Sequence, residues 1–142
     1  MVFGNEECNI MLNGVKLEQV STFTYLGAII TDDTECVEDI KNGIAKGRGV
    51  VTALKSIWKS HGVSMSTKVR LLKTLAWSTM TYGCESGTLN KLDEERIRAF
   101  EMLGLHHILR VSWTAKCTNQ WVLEKANLSR SLLEAIKKRK LT

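Results

Sequence analysis

Polar and apolar positions follow two periods along this chain, and the change from one to the other falls at residues 23–34. In residues 8–20 the pattern is that of a hairpin. Ile10 and Leu12 point to one side of the first arm, with Asn9, Met11 and Asn13 on the other; Val15, Leu17 and a shifted Val20 lie on the second. Asn13-Gly14 sits between the arms, and both residue types tolerate the positive φ that a two-residue hairpin turn requires. Phe23-Thr24-Tyr25-Leu26-Gly27-Ala28-Ile29-Ile30 is aromatic and β-branched, which predicts one buried or half-buried strand with a close backbone approach at Gly27. A lone hairpin is marginal in water, so these strands are expected to need further partners on one face.

Downstream of the turn-rich Thr31-Asp32-Asp33-Thr34 the period becomes helical. Val37, Ile40, Ile44, Gly47, Val51, Leu54 and Trp58 form one apolar stripe and predict a helix over 35–59, capped by Thr34. Lys41, Arg48, Lys55 and Lys59 run along its flank, as a basic edge or as a solvated one. Gly47 and Gly49 weaken its middle and mark close packing or a bend. A second helix is expected over 66–82, opened by Ser66, with Val69, Leu72, Ala76 and Met80 on one face and Leu71, Leu75 and Tyr82 beside them. Arg70, Lys73 and Trp77 share another face of it, where Trp77 is either core or a stacking platform. Asn90 caps a third helix with buried positions at Ile97, Phe100, Leu103 or Gly104, His107 or Ile108, and Val111, while Arg96, Arg98 and Arg110 add to a basic surface. Thr118 opens a short helix through Trp121, and Ser131-x-x-Glu134 matches a capping box for a last one that ends in Lys137-Lys138-Arg139-Lys140. The expected fold is therefore α+β and mostly α, a hairpin plus one strand followed by a bundle of about four to five helices.

Charge sharpens this division. Residues 1–50 hold four Lys/Arg against eight Asp/Glu, and residues 51–142 hold sixteen against seven. The helical part is thus the basic part, and a basic helical body suits a phosphate backbone or simply a soluble surface. The 142 residues are enough for one domain with a sizeable core. No stretch has the length and hydropathy of a membrane span and no secretory signal is visible, so an intracellular location with free thiols at the four scattered cysteines is expected.

Catalytic and metal-binding patterns are sparse. Asp32-Asp33 is an adjacent acidic pair, but a turn before a helix accounts for it. His106-His107 with Cys84 and Cys117 lacks the close ligand pairs by which zinc sites declare themselves, and the two histidines should diverge, one into the core and one to the surface. Neither a catalytic residue nor a metal site is assigned.

Several short motifs occur in an order that resembles a known family. Phe23-x-Tyr25-Leu26-Gly27-x-x-Ile30-Thr31 is followed by Asp39-Ile40-Lys41-x-x-Ile44-Ala45, Val69-Arg70-x-Leu72, Tyr82-Gly83-Cys84-Glu85 and Phe100-Glu101-Met102. Ile108-Leu109-Arg110-Val111-Ser112-Trp113-Thr114 and Ile136-Lys137-Lys138-Arg139-Lys140-Leu141 complete the series, and Ile10-x-Leu12-Asn13-Gly14-x-x-Leu17-Glu18-x-Val20 precedes it. Together they resemble the C-terminal part of the reverse transcriptases of non-LTR (LINE-type) retrotransposons, across nearly the whole chain. The resemblance implies that residues 1–32 are the last strands of a palm, with Phe23, Tyr25, Leu26 and Gly27 as primer grip, and that 33–142 are a helical thumb cut at its C-terminus. It implies that Lys41, Arg48, Lys55, Lys59, Arg70 and Lys73 contact the phosphates of an RNA–DNA template–primer duplex. The family's catalytic aspartates lie on palm strands upstream of the grip, in a segment that this sequence does not contain. The fragment is accordingly expected to bind and position rather than to polymerise, with Mg2+ belonging only to the full enzyme and the missing palm as its partner. The alternatives are a stand-alone helical interaction module, which would dock through the edge of the early strands, and a non-functional remnant of a degenerate element.

Overall fold

In the computed structural model, which describes residues 2–3, 9–26, 28–31, 37–82, 89–128 and 132–140, the hairpin forms where the Asn-Gly pair places it. Asn13 and Gly14 take φ of 50° and 79°, and β2 (Met11–Leu12) pairs antiparallel with β3 (Val15–Lys16). The amide of Leu17 donates to the Ile10 carbonyl at 3.0 Å and extends the ladder by one step. A short β1 (Val2–Phe3) pairs in parallel with β4 (Gln19–Val20).

The stretch predicted as one strand over 23–30 is a second hairpin. β5 (Thr22–Tyr25) and β6 (Ala28–Thr31) are antiparallel, with Phe23 opposite Ile30 and Tyr25 opposite Ala28. Leu26 adopts a left-handed φ of 49° and reverses the chain. Gly27, Asp32-Asp33 and the expected cap Thr34 lie outside the described residues. Where burial is described the stretch is partly more open than expected: Phe23 is half-buried, but Tyr25 and Leu26 are 58% and 75% exposed. The hydroxyl of Tyr82 donates to the Leu26 carbonyl at 3.3 Å, and β6 touches the first helix, so the helical body does meet this hairpin.

The remaining chain is helical, as the pattern requires. α1 (Val37–Ala53) and α2 (Lys55–Lys59) cover the predicted first helix, which is interrupted at Leu54 rather than continuous. Ile40, Ile44, Gly47, Val51 and Trp58 are all buried, so the stripe survives the break. The Trp58 indole N–H donates to the Val51 carbonyl at 2.8 Å across it. α3 (Met65–Leu71), a π-helical segment (Leu72–Trp77) and α4 (Ser78–Thr81) follow end to end. Ser64, not Ser66, is the cap, accepting the Thr67 amide on its Oγ at 3.3 Å. The hydroxyls of Thr74, Ser78 and Thr79 bond back to the carbonyls of Arg70, Thr74 and Leu75, the local competition that accompanies a widened turn. Val69, Leu72, Ala76 and Met80 are buried, and so is Trp77, whereas Leu75 and Tyr82 are exposed. Trp77 therefore belongs to the core, not to a stacking surface.

α5 (Lys91–Leu109) opens on Asn90, whose Oδ1 accepts the Asp93 amide at 2.8 Å. It ends at Arg110, which takes a left-handed φ of 57°. Its inward face is Ile97, Phe100, Gly104, Leu105 and Ile108, all buried. Two glycines set the approach of the central helices. A Cβ on Gly47 would lie 2.7 Å from the Phe100 ring, and one on Gly104 would lie 2.8 Å from Leu72 Cδ1. α1, the π segment with α4, and α5 thus close around one core, and α6 (Asn119–Lys125) and α7 (Leu132–Lys140) pack on α5. Ser131 lies outside the described residues. The amide of Leu132 donates to the buried Glu101 carboxylate of α5, at 3.3 Å. The architecture is α+β and mostly α.

A candidate nucleic-acid interface

The face of α5 opposite the core lines a cleft. Glu95, Arg98, Ala99, Met102, Leu103, His106, His107 and Arg110 recur at helical spacing, so one long stripe of this helix borders it. The second wall is Arg48 from α1 with Lys55, Trp58 and Lys59 from α2. Lys55 and Lys59 stand four apart on the short helix and so emerge on one side of it. The left-handed Arg110 ends α5 and sends Val111, Ser112, Lys116 and Cys117 around a third side. The volume enclosed is about 900 Å³, within the range of about 300–1,000 Å³ that holds small-molecule ligands.

The lining divides by depth. Trp58 and Met102 are buried and Leu103, Val111 and Cys117 half-buried, which makes an apolar floor. The exposed lining carries six Lys/Arg, at 48, 55, 59, 98, 110 and 116, against one exposed carboxylate, Glu95. Glu101 also borders the space, but it is buried and engaged with the α7 amide. Arg98 Nη2 lies 3.3 Å from Glu94 Oε2, whereas Lys137 Nζ holds the other oxygen of that carboxylate at 2.6 Å. The Lys137 hydrogen bond, with the charges of Lys137, Arg98 and Lys91, holds the Glu94 carboxyl below its ordinary range against the opposing effect of burial. Arg110 Nη1 is 3.5 Å from His61 Nε2, which ties the end of α5 to the turn after α2.

The wall that presents Lys55, Trp58 and Lys59 is held from behind by a residue that the sequence reading passed over. Lys68 is 7% exposed, and its Nζ donates to the carbonyls of Trp58 at 2.9 Å and Ser60 at 2.7 Å. It closes the C-terminal end of α2, whose last carbonyls have no helical partner of their own. A lysine flanked by Thr67 and Val69 on a predicted apolar face was the available signal.

The structure splits the six cations expected to meet phosphate. Arg48, Lys55 and Lys59 border the cleft. Lys41 does not; it lies two turns before Arg48 and is bridged to Glu38 at 2.7 Å. Arg70 and Lys73 project from the other helix, where Lys73 Nζ stands 5.3 Å over the Trp77 ring. The cleft takes its other cations from Arg98 and Arg110, read as basic surface, and from Lys116, which carried no sequence signal. Neither histidine enters the core: His107 is exposed as one of the two was expected to be, His106 is half-buried, and both border the cleft. Phe23, Tyr25 and Leu26 lie on β5 and its turn and do not border it.

Among the described residues no three His, Cys, Asp or Glu side chains gather as metal ligands, and no helix is long and apolar enough to cross a membrane. No protein-family model matches the chain, and neither a curated protein nor a solved structure matches it.

Proposed function

We propose that this chain binds the sugar–phosphate backbone of nucleic acid along the cleft between α1–α2 and α5, in the role of a reverse-transcriptase thumb. One observation carries the proposal: the exposed lining holds six Lys/Arg and a single exposed carboxylate. Such a concave single-sign surface focuses the field on a polyanion. The order of motifs that resembles the non-LTR reverse transcriptases supplies the substrate, an RNA–DNA template–primer duplex. Contacts of this kind position a duplex without reading its sequence. On this reading the chain contributes grip and placement, and bond-making at Mg2+ belongs to a palm domain that the first strands would join.

Titration of a labelled RNA–DNA duplex at several salt concentrations tests this. If most of the six cations release counterions, log K should fall against log[salt] with a slope of roughly −3 to −5. Lys59→Ala should lower the slope by about 1, whatever the sequence of the duplex. Lys41→Ala, outside the cleft and already paired, is the control and should leave the slope alone. Binding that is indifferent to salt, or equally sensitive to both substitutions, would sink the assignment of the cleft.

The exposed apolar residues of the first hairpin favour the interaction-module reading as well. Met11, Leu12 and Val15 are 68%, 62% and 67% exposed. A palm domain would cover them on the first reading and a protein partner on the second. Only the second leaves duplex binding absent.

A further inference from the structure

The floor of the cleft does not suit a backbone alone. A duplex offers such a cleft mainly phosphate and sugar, with base edges in its grooves and the flat base faces hidden in the stack. Cations on the rim answer the phosphates. The flat apolar faces that would cover Met102, Leu103 and Val111, which border the same space of about 900 Å³, are what a duplex keeps hidden. An unpaired nucleotide brings both parts: a phosphate for the rim and an apolar face, freed from the stack, for the floor.

We propose that the cleft takes an unpaired strand segment adjoining the duplex and seats at least one of its bases on the apolar floor. This rests on the phosphate-binding reading and makes it more specific. The lining fits the division of labour in single-strand sites, where a basic groove follows the backbone and an apolar or aromatic platform receives bases without selecting among them. Arg48, Lys55 and Lys59 form one bank for the phosphates, Arg98 and Arg110 the other. The base enters between them, against the half-buried Leu103 and Val111 and the small exposed part of Met102, while Trp58, buried and held by its hydrogen bond to Val51, borders the same space. Bases differ little in their apolar faces, so the site is tolerant of sequence.

The experiment compares three ligands of one duplex sequence by fluorescence anisotropy at one salt concentration: blunt, with a single-stranded overhang, and with an overhang of the same length made of abasic sites. The two overhangs carry the same phosphates, so any difference between them comes from the bases. The base-bearing overhang should bind about tenfold tighter than the abasic one. Ala99→Leu, at an exposed helical position that borders the cleft, narrows the space over the floor without changing charge. It should abolish that tenfold difference between the base-bearing and abasic overhangs. Val111→Ser, on the half-buried third side outside any helix, makes the floor polar and should reduce the difference too. Lys59→Ala should weaken all three ligands together.

Equal binding of the base-bearing and abasic overhangs, or a difference that survives both floor substitutions, overturns the proposal and leaves the phosphate-binding reading standing. Binding of none of the three ligands overturns both. A mononucleotide that binds as tightly as the overhang duplex overturns the strand segment in favour of a small-molecule site.

Discussion

The two hairpins and the helical body use similar residues to opposite effect. Ile10, Met11, Leu12 and Val15 are as apolar as Ile40, Leu72 and Val51, yet the first group is 47–68% exposed and the second fully buried. Among the described residues the strands pair in twos, each pair making its own ladder, and the second hairpin meets the helices. The helices have a common centre, to which α1, the π segment, α4 and α5 all contribute. An apolar residue stabilises a fold only when another surface meets it, so hydrophobicity alone does not tell a core from a waiting face.

The sharpest way to break this contrast is a matched pair of truncations. Phe100 is 1% exposed in the centre of the body, and Phe100→Ala should cost about 3–5 kcal/mol of helical unfolding free energy in urea. Leu12→Ser on the exposed hairpin should fall within about 0.5 kcal/mol of the parent. If Leu12→Ser proved as costly as Phe100→Ala, the hairpin would be part of the core and the contrast wrong.

Lys68→Met asks whether the wall of the cleft is held as the hydrogen bonds indicate. The substitution keeps the aliphatic stem and strips both bonds from the carbonyls of Trp58 and Ser60. Leaving buried acceptors unmet should cost about 1–3 kcal/mol. Fluorescence of Trp58 should report a looser α2, and duplex affinity should fall although no cation of the lining has been touched. Unchanged stability and affinity would mean that water serves those carbonyls equally well.

Two glycines in α1 then separate packing from propensity. Gly49→Ala enters open space and should stabilise by up to about 1 kcal/mol through helix propensity. Gly47→Ala gains the same propensity, but its Cβ would meet Phe100 at 2.7 Å and the Ala76 carbonyl at 3.2 Å. Overpacking of this kind costs about 1–3 kcal/mol, so the net sign should be negative. Thermal midpoints that moved the same way would remove the close approach of α1 to α5 from the account.

Periodicity made the helical body legible because each helix buries one face and its stripe repeats. The stripe from Ile40 to Trp58 and the caps Asn90 and Thr118 emerge where the pattern places them. The second hairpin was hidden because Leu26, which takes φ 49°, is not a usual turn residue, and the neighbouring Gly27 reads equally as a close approach inside one strand. The cleft was half hidden for a different reason. Its cations come from α1, α2, α5 and the segment after α5, and only the shared row of Arg48, Lys55 and Lys59 lies on consecutive helices. A row read along one helix cannot show that Lys41 leaves the groove or that Lys116 enters it. Lys68 and Glu101 were missed because each closes the end of a different helix, a contact that only the assembled body creates.

The smallest expected effect lies where α7 joins α5. Lys137 and Arg98 both reach Glu94, and the depressed carboxyl means that the folded state prefers it ionised. A carboxyl whose folded value lies below its unfolded one stabilises fully above the unfolded value, ordinarily 4.5, and the stabilisation is lost as pH falls through the folded value. The parent should therefore exceed Glu94→Gln in thermal midpoint at neutral pH, and the two should converge in acid well below 4.5. The pair is partly solvent-exposed, so added salt should shrink the neutral-pH difference. The same substitution releases Arg98 toward the cleft, so duplex binding at neutral pH should strengthen slightly while stability declines. A Glu94→Gln protein that lost both together would place this carboxylate in the binding surface itself, and the division between a structural seam at α5–α7 and the basic cleft proposed to bind the duplex would have to be redrawn.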